Sequence, residues 1–202
     1  MNKDREVRAF HVAKIELRDD GDGLPAIRGH AAVFDSWSED LGGFREIIRP
    51  GAFDSALDRG DDVRALVDHD PSKIIGRAKA GTLSLNVDSR GLRVAITPPD
   101  TSVGRDIVES IRRGDVDSMS FGFRTLSDRW GNEDGSEVRE LLDVELFDVS
   151  PVSFPAYTQT DVAVRSLTAF RKRTKYKEPM NEATRERIAL VEAAMRELDS
   201  SG

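Results

Sequence analysis

A chain of 202 residues, 38% of them hydrophobic, is long enough to bury a core and short enough to be one folded body with an appendage. It contains no cysteine, which excludes a disulfide framework, a thiolate nucleophile and any cysteine-ligated metal centre. A formal net charge of -7 argues against a general nucleic-acid binder. No apolar run approaches the roughly 20 residues that cross a bilayer, and the first six residues lack a signal peptide's apolar stretch, so a protein of the cytoplasm with no membrane partner is expected.

Residues 8–17 and 26–34 read as strands separated by Asp19-Asp-Gly-Asp-Gly23, residue types that favour turns, so the chain should open on a hairpin. Between Pro50 and Gly60, Phe53, Ala56 and Leu57 recur at helical spacing, which predicts a short helix. Residues 63–69 form a strand-like run that ends on His69, after which Asp70-Pro71 is expected to turn the chain away. Alternating apolar residues over 82–87 and 92–97, on either side of Asp88-Ser-Arg-Gly91, predict a second hairpin. Val103, Ile107, Val108 and Ile111 form a helical stripe over 102–113, with Ser102 as the expected N-cap and Gly114 as the stop.

The next strand, 117–123, turns Met119, Phe121 and Phe123 to one face and Ser118, Ser120 and Gly122 to the other. A polar connection over 128–136 reads as a hairpin loop or flap, and a long strand follows over 138–152. The folded body is expected to end near residue 165. A basic linker over 166–180 then leads to residues 181–202, where Ile188, Val191, Met195 and Leu198 mark an amphipathic helical extension, read as an interaction, targeting or self-cleavage segment. Many short strands and few helices predict a mainly β (α+β) fold, an antiparallel β-barrel or sandwich flanked by short helices.

A serine hydroxyl is a poor nucleophile until a neighbouring base takes its proton, and histidine is the usual base. Of the three histidines, His69 sits at a strand end and His11 and His30 have no evident partner, so His69 and Ser120 form the candidate pair, with Ser118 as the alternative nucleophile. Taken alone, each has a structural reading: a strand-end histidine often only makes a hydrogen bond, and a serine among aromatics often only fills space. Gly122, on the serine's face, is expected to leave room for a substrate backbone. Asp68-His69-Asp70 would suit a metal, but no second histidine stands at ligand spacing, so neither metal nor cofactor is expected. A third member should orient the imidazole, and the acidic residues in Asp143-Val-Glu145-Leu-Phe-Asp148 supply candidates. Strict alternation separates Asp148 from Glu145, while the apolar pair Leu146-Phe147 hints at a bulge.

Nine motifs then follow one another in order: Gly29-His-Ala-Ala-Val-Phe-Asp35, Pro50-Gly-Ala-Phe53, Leu66-Val-Asp-His69-Asp, Ile75-Gly-Arg77, Gly81-Thr-Leu83, Arg90-Gly-Leu92, Arg113-Gly114, Met119-Ser-Phe-Gly-Phe123 and Asp148-Val-Ser-Pro-Val-Ser-Phe-Pro-Ala156. In this order they resemble the prohead maturation proteases of tailed phages. The resemblance implies a serine endopeptidase with the barrel of the herpesvirus assemblins. It also implies a role inside the immature capsid in the bacterial host's cytoplasm, cutting the scaffolding segment from the major capsid protein and processing itself. The implied partners are the capsid protein and its scaffold, the portal, and a second copy of the chain. On the family's pattern His69 is the base, Ser120 the nucleophile and Asp148 the third member, where a glutamate is common; Glu145 stays the alternative. His30 falls where an aromatic residue is expected, which suggests packing. The rivals are a non-enzymatic capsid or scaffold assembly component and an esterase or amidase acting on a small substrate.

Overall fold

The computed structural model of the chain describes residues 5–10, 15–19, 21, 23–154 and 161–175. Among the described residues the fold is mainly β with three α-helices. The strands are β1 (Glu6–Phe10), β2 (Glu16–Arg18), β3 (Ala26–Val33), β4 (Arg45–Ile48), β5 (Arg64–Val67), β6 (Asp70–Arg77), β7 (Leu83–Val87), β8 (Gly91–Ile96), β9 (Ser118–Glu133) and β10 (Ser136–Val152). They pair into two sheets, β1-β9-β10-β5-β6 with β4 also on β10, and β2-β3-β8-β7. Neither sheet is closed into a ring by the strand pairings among the described residues, so the expected closed barrel is not seen. The expected, mostly antiparallel order has two parallel exceptions: β4 runs parallel to the first half of β10, and β5 runs parallel beside Asp148 and Val149.

Most of the first sheet hangs on the β9–β10 hairpin. The polar stretch over 128–136 is not a loop: β9 continues to Glu133 and β10 begins at Ser136, leaving only Asp134 and Gly135 in the turn, with φ of 50° and 80°. Asp-Gly tolerates positive φ at both central positions and so closes a two-residue hairpin. The charged residues that disguised the strands pair across them, Arg129 with Glu140 and Arg139 with Asp128.

The opening hairpin is smaller than its sequence pattern suggested. β2 pairs with β3, but the first half of the stretch read as one strand is β1, which pairs antiparallel with β9 and sets Ala9 opposite Ser120. The β7–β8 hairpin forms as expected.

Helix α1 (Asp54–Asp58) buries Ala56. Helix α2 (Ser102–Arg113) buries Ile107, Val108 and Ile111, ends on Gly114 at φ 81°, and is capped by Thr101 rather than Ser102, with the Thr101 hydroxyl oxygen accepting from Gly104 N. Behind the serine strand, Phe121 stacks on Phe123 with centroids 4.8 Å apart and meets Phe53 edge-on at 5.5 Å. Met119, Phe121 and Phe123 are fully buried on one face of β9, and strict alternation sets Ser118 and Ser120, also buried, on the other.

The chain divides into two units at Arg165/Ser166. Residues 166–175, within the stretch expected as a linker, belong to helix α3 (Asp161–Lys175). The expected helix over 181–202, His11 and the Pro155-Ala156 end of the last motif lie outside the described residues. Among the described residues no helix is long and apolar enough to cross a membrane.

Candidate active site

Three chain segments bring one histidine, one serine and one carboxylate together. Ser120 stands on β9, with its side chain on the face opposite the phenylalanines. Directly across the β9–β10 ladder lies Ser150, and Asp148 lies opposite Gly122. Asp148 reaches that face because β10 bulges: its register shifts between Leu146 and Asp148, leaving Phe147 without a partner on β9. Leu146 and Val149 therefore both enter the core, and Asp148 and Ser150 turn toward Ser120.

His69 is not on a strand. Val67 pairs with Asp70, so Asp68 and His69 form a two-residue hairpin turn with φ of 50° and 58°, and β6 starts at Asp70 rather than turning away. Aspartate and histidine are among the residues that tolerate this left-handed region. The turn is latched to the end of β10: Asp68 N donates to Pro151 O at 3.1 Å, and Ser153 N and Oγ donate to the Asp68 carboxylate at 2.7 and 3.1 Å.

These placements put His69 Nε2 2.6 Å from Ser120 Oγ and His69 Nδ1 2.5 Å from Asp148 Oδ1. An ionised carboxylate only accepts, so Asp148 selects the imidazole tautomer that carries its proton on Nδ1 and leaves Nε2 free to accept from the serine. Burial would raise the Asp148 carboxyl's pKa, but the hydrogen bond and charge of His69, and then Arg5, outweigh burial and hold it below the ordinary value of 3.8. Ser120 is fully buried, and the Arg8 carbonyl oxygen of β1 lies 2.8 Å from its Oγ as a second acceptor for the hydroxyl proton.

The other candidates sit elsewhere. Glu145 is ion-paired with Arg124 at 2.5 Å. The Ser118 hydroxyl donates to Asp117 at 2.7 Å. His30, expected to have no partner, has its Nε2 2.9 Å from Asp88 in the β7–β8 turn. Among the described residues no three histidine, aspartate or glutamate side chains gather as a metal-binding group.

Two participants escaped the sequence reading. Arg5, 143 positions from Asp148, donates to its Oδ2 at 2.6 Å, and the buried Ser150 hydroxyl donates to its Oδ1 at 3.1 Å. No local pattern announces Arg5, whereas Ser150 was visible as the serine two residues beyond Asp148. At Gly122 a Cβ would collide with Asp148 Oδ2 and the Arg5 guanidinium, so the glycine makes room for their ion pair.

A search of curated proteins found no match. Among solved structures, the bacteriophage T4 capsid assembly protease, gp21, aligns with a TM-score of 0.49 and 10% identity, over 73% of this chain and 96% of that one. The family model described as caudovirus prohead serine protease matches residues 12–174. A match over that much of the sequence places the chain in the caudovirus prohead serine protease family.

Proposed function

We propose that this serine protease matures proheads by cutting the scaffolding segment from the major capsid protein and by processing itself, with Ser120 as nucleophile, His69 as general base and Asp148 as the orienting acid. The supporting observation is the unbroken chain from Ser120 Oγ through both nitrogens of His69 to Asp148, at 2.6 and 2.5 Å. Family membership favours a capsid-linked peptide substrate over a small ester or amide and over a purely structural role. The working place is then the interior of the procapsid in the host cytoplasm, with the portal and a second copy of the chain as further partners.

The chemistry is acyl transfer. Ser120 Oγ bonds to the scissile carbonyl carbon while its proton passes to His69 Nε2. The imidazolium, held by Nδ1–H donation to Asp148, returns that proton to the leaving amine nitrogen as the C–N bond breaks. Water then attacks the acyl ester, His69 takes a proton from it, and the proton returns to Ser120 Oγ as the C–O bond breaks. Every proton is carried by the side chains named, so the cycle needs no cofactor. Because Ser120 is fully buried, substrate entry requires local opening beside it.

Co-expression of the full chain with its capsid protein, with and without Ser120→Ala, tests the assignment on a gel. Processing in the wild type alone is expected. Equal processing by both would overturn the nucleophile.

A further inference from the structure

We infer that Arg5, which precedes the first strand and lies outside the family-matched segment 12–174, is a positioning residue that holds Asp148 in register with His69. This rests on the Ser120–His69–Asp148 reading. The Asp148 carboxylate has three partners, with Oδ1 facing His69 Nδ1 at 2.5 Å and receiving the Ser150 hydroxyl at 3.1 Å, while Oδ2 receives the Arg5 Nη2 donor at 2.6 Å. A carboxylate held at one oxygen still rotates about its C–C bond, whereas one held at both has a fixed plane.

The surroundings are built for this pair. Gly122 leaves the volume that a Cβ would take from Asp148 Oδ2 and from Arg5 Nε and Nη2. The strand that follows Arg5 is anchored by a buried cluster in which Arg8 bonds Glu6 and Glu46, and Arg139 bonds the same two carboxylates. Glu6, Arg8, Glu46 and Arg139 are each no more than 3% exposed, so the strand that begins one residue after Arg5 is anchored in the interior. Arg5 thus acts on the serine at one remove, through Asp148 and His69, and touches no reacting atom.

The charged groups that meet Asp148 are Arg5, His69 of the β5–β6 turn, and Arg64 beside it on β5, whose guanidinium is engaged with Asp62. Arg5 already lines a cavity of about 190 Å³ together with Arg64, Leu66, Phe147 and Asp148, so its loss removes one of the two groups that keep Asp148 ionised and leaves the carboxylate facing an enlarged cavity that a small cation can occupy.

The test uses the full-length chain and a fluorophosphonate probe, following the labelling rate by intact mass from neutral to acidic pH for wild type, Arg5→Met, Arg5→Lys and Ser120→Ala, with circular dichroism as the folding control. Proton NMR of the same samples reads the downfield resonance of a histidine–carboxylate hydrogen bond, which needs no turnover. Arg5→Met is expected to label about 10- to 100-fold more slowly, to lose labelling at a higher pH on the acid side, and to recover with millimolar guanidinium ion. Arg5→Lys keeps the charge but not the planar guanidinium that sets Nη2 on Asp148 Oδ2, so it should be slowed but keep the wild-type acid limb. Wild-type labelling rates and an unchanged downfield proton in folded Arg5→Met would overturn the inference while leaving the Ser120 assignment intact. Wild-type labelling of Ser120→Ala would overturn both.

Discussion

Gly122 faces Asp148 across the β9–β10 ladder with no space between them for a methyl group. Gly122→Ala is therefore expected to swing the carboxylate away from His69 while the fold survives. A displacement of about 1 Å at a positioned group costs on the order of a hundredfold in rate, whereas overpacking costs about 1–3 kcal/mol of stability. Processing of the capsid protein should fall far more than the melting temperature. A variant that processes at the wild-type rate would mean that Asp148 has slack the geometry denies it.

Asp148→Asn and Glu145→Gln separate the two candidate acids. The amide presents the wrong donor to His69 Nδ1 and favours the unproductive tautomer, so a loss of about 10³- to 10⁴-fold is expected. Glu145 is tied to Arg124, itself 41% exposed, in a pair worth at most about 1 kcal/mol, and its amide variant should process within severalfold of wild type. Rate constants for the two variants in one processing assay decide between them, and the reverse order would move the role to Glu145.

The site was legible in the sequence where period-2 alternation speaks for itself. Met119, Phe121 and Phe123 announce the apolar face of β9 and so put Ser120 on the other. Alternation failed at Asp148, because one bulged residue, Phe147, inverts every position after it, and only the adjacent apolar pair hinted at this. His69 looked like a strand end because Asp-His is a rare hairpin turn. Its positive φ values are sustained by bonds from Ser153, 85 positions away. Arg5 and the parallel β4 and β5 pairings had no local signature, since they depend on contacts between distant segments. Residues 128–136 misled because charged cross-strand pairs look the same in a list of residues as solvated loop charges.

Stability should depend on acid through two buried carboxyls. Asp148 and Glu6 are both held below their ordinary values of 3.8 and 4.5; in each case burial opposes the shift and is overcome, by His69 and Arg5 for Asp148 and by Arg139, Arg8 and Thr125 for Glu6. The unfolded chain binds protons at these groups before the folded one does, so their stabilisation is complete above pH 4.5 and is lost as pH falls through the lower folded values. Melting temperatures measured from neutral pH downward should drop across that window, and Glu6→Gln should flatten part of the drop. An unchanged slope in that variant would show that Glu6 does not contribute.

The cluster that anchors β1 makes a separate prediction. Glu46 accepts from both Arg8 and Arg139, which are 1% exposed. Breaking a buried ion pair on one side leaves an uncompensated charge and costs about 3–5 kcal/mol. Urea unfolding of Glu46→Gln should show a loss at the lower end of that range, since the amide still accepts one bond, and Glu46→Leu should show the full loss. A stability within 1 kcal/mol of wild type in the leucine variant would mean that the cluster rearranges around the missing carboxylate.

The turn that carries His69 can be loosened without touching the three proposed catalytic side chains. Asp68 holds a φ of 50° and accepts from both the backbone N–H and the hydroxyl of Ser153. Alanine at 68 loses both bonds and is placed in the left-handed region, which costs roughly 1–2 kcal/mol by itself. Asparagine tolerates that conformation and keeps one acceptor oxygen for Ser153 N. Asp68→Ala is therefore expected to lower both the melting temperature and the labelling rate of Ser120, because a slack turn lets His69 drift from Ser120 and Asp148 together. Asp68→Asn should stay close to wild type in both. If Asp68→Ala loses stability but labels at the full rate, His69 is held by its side-chain bonds alone and the latch to β10 serves only the fold.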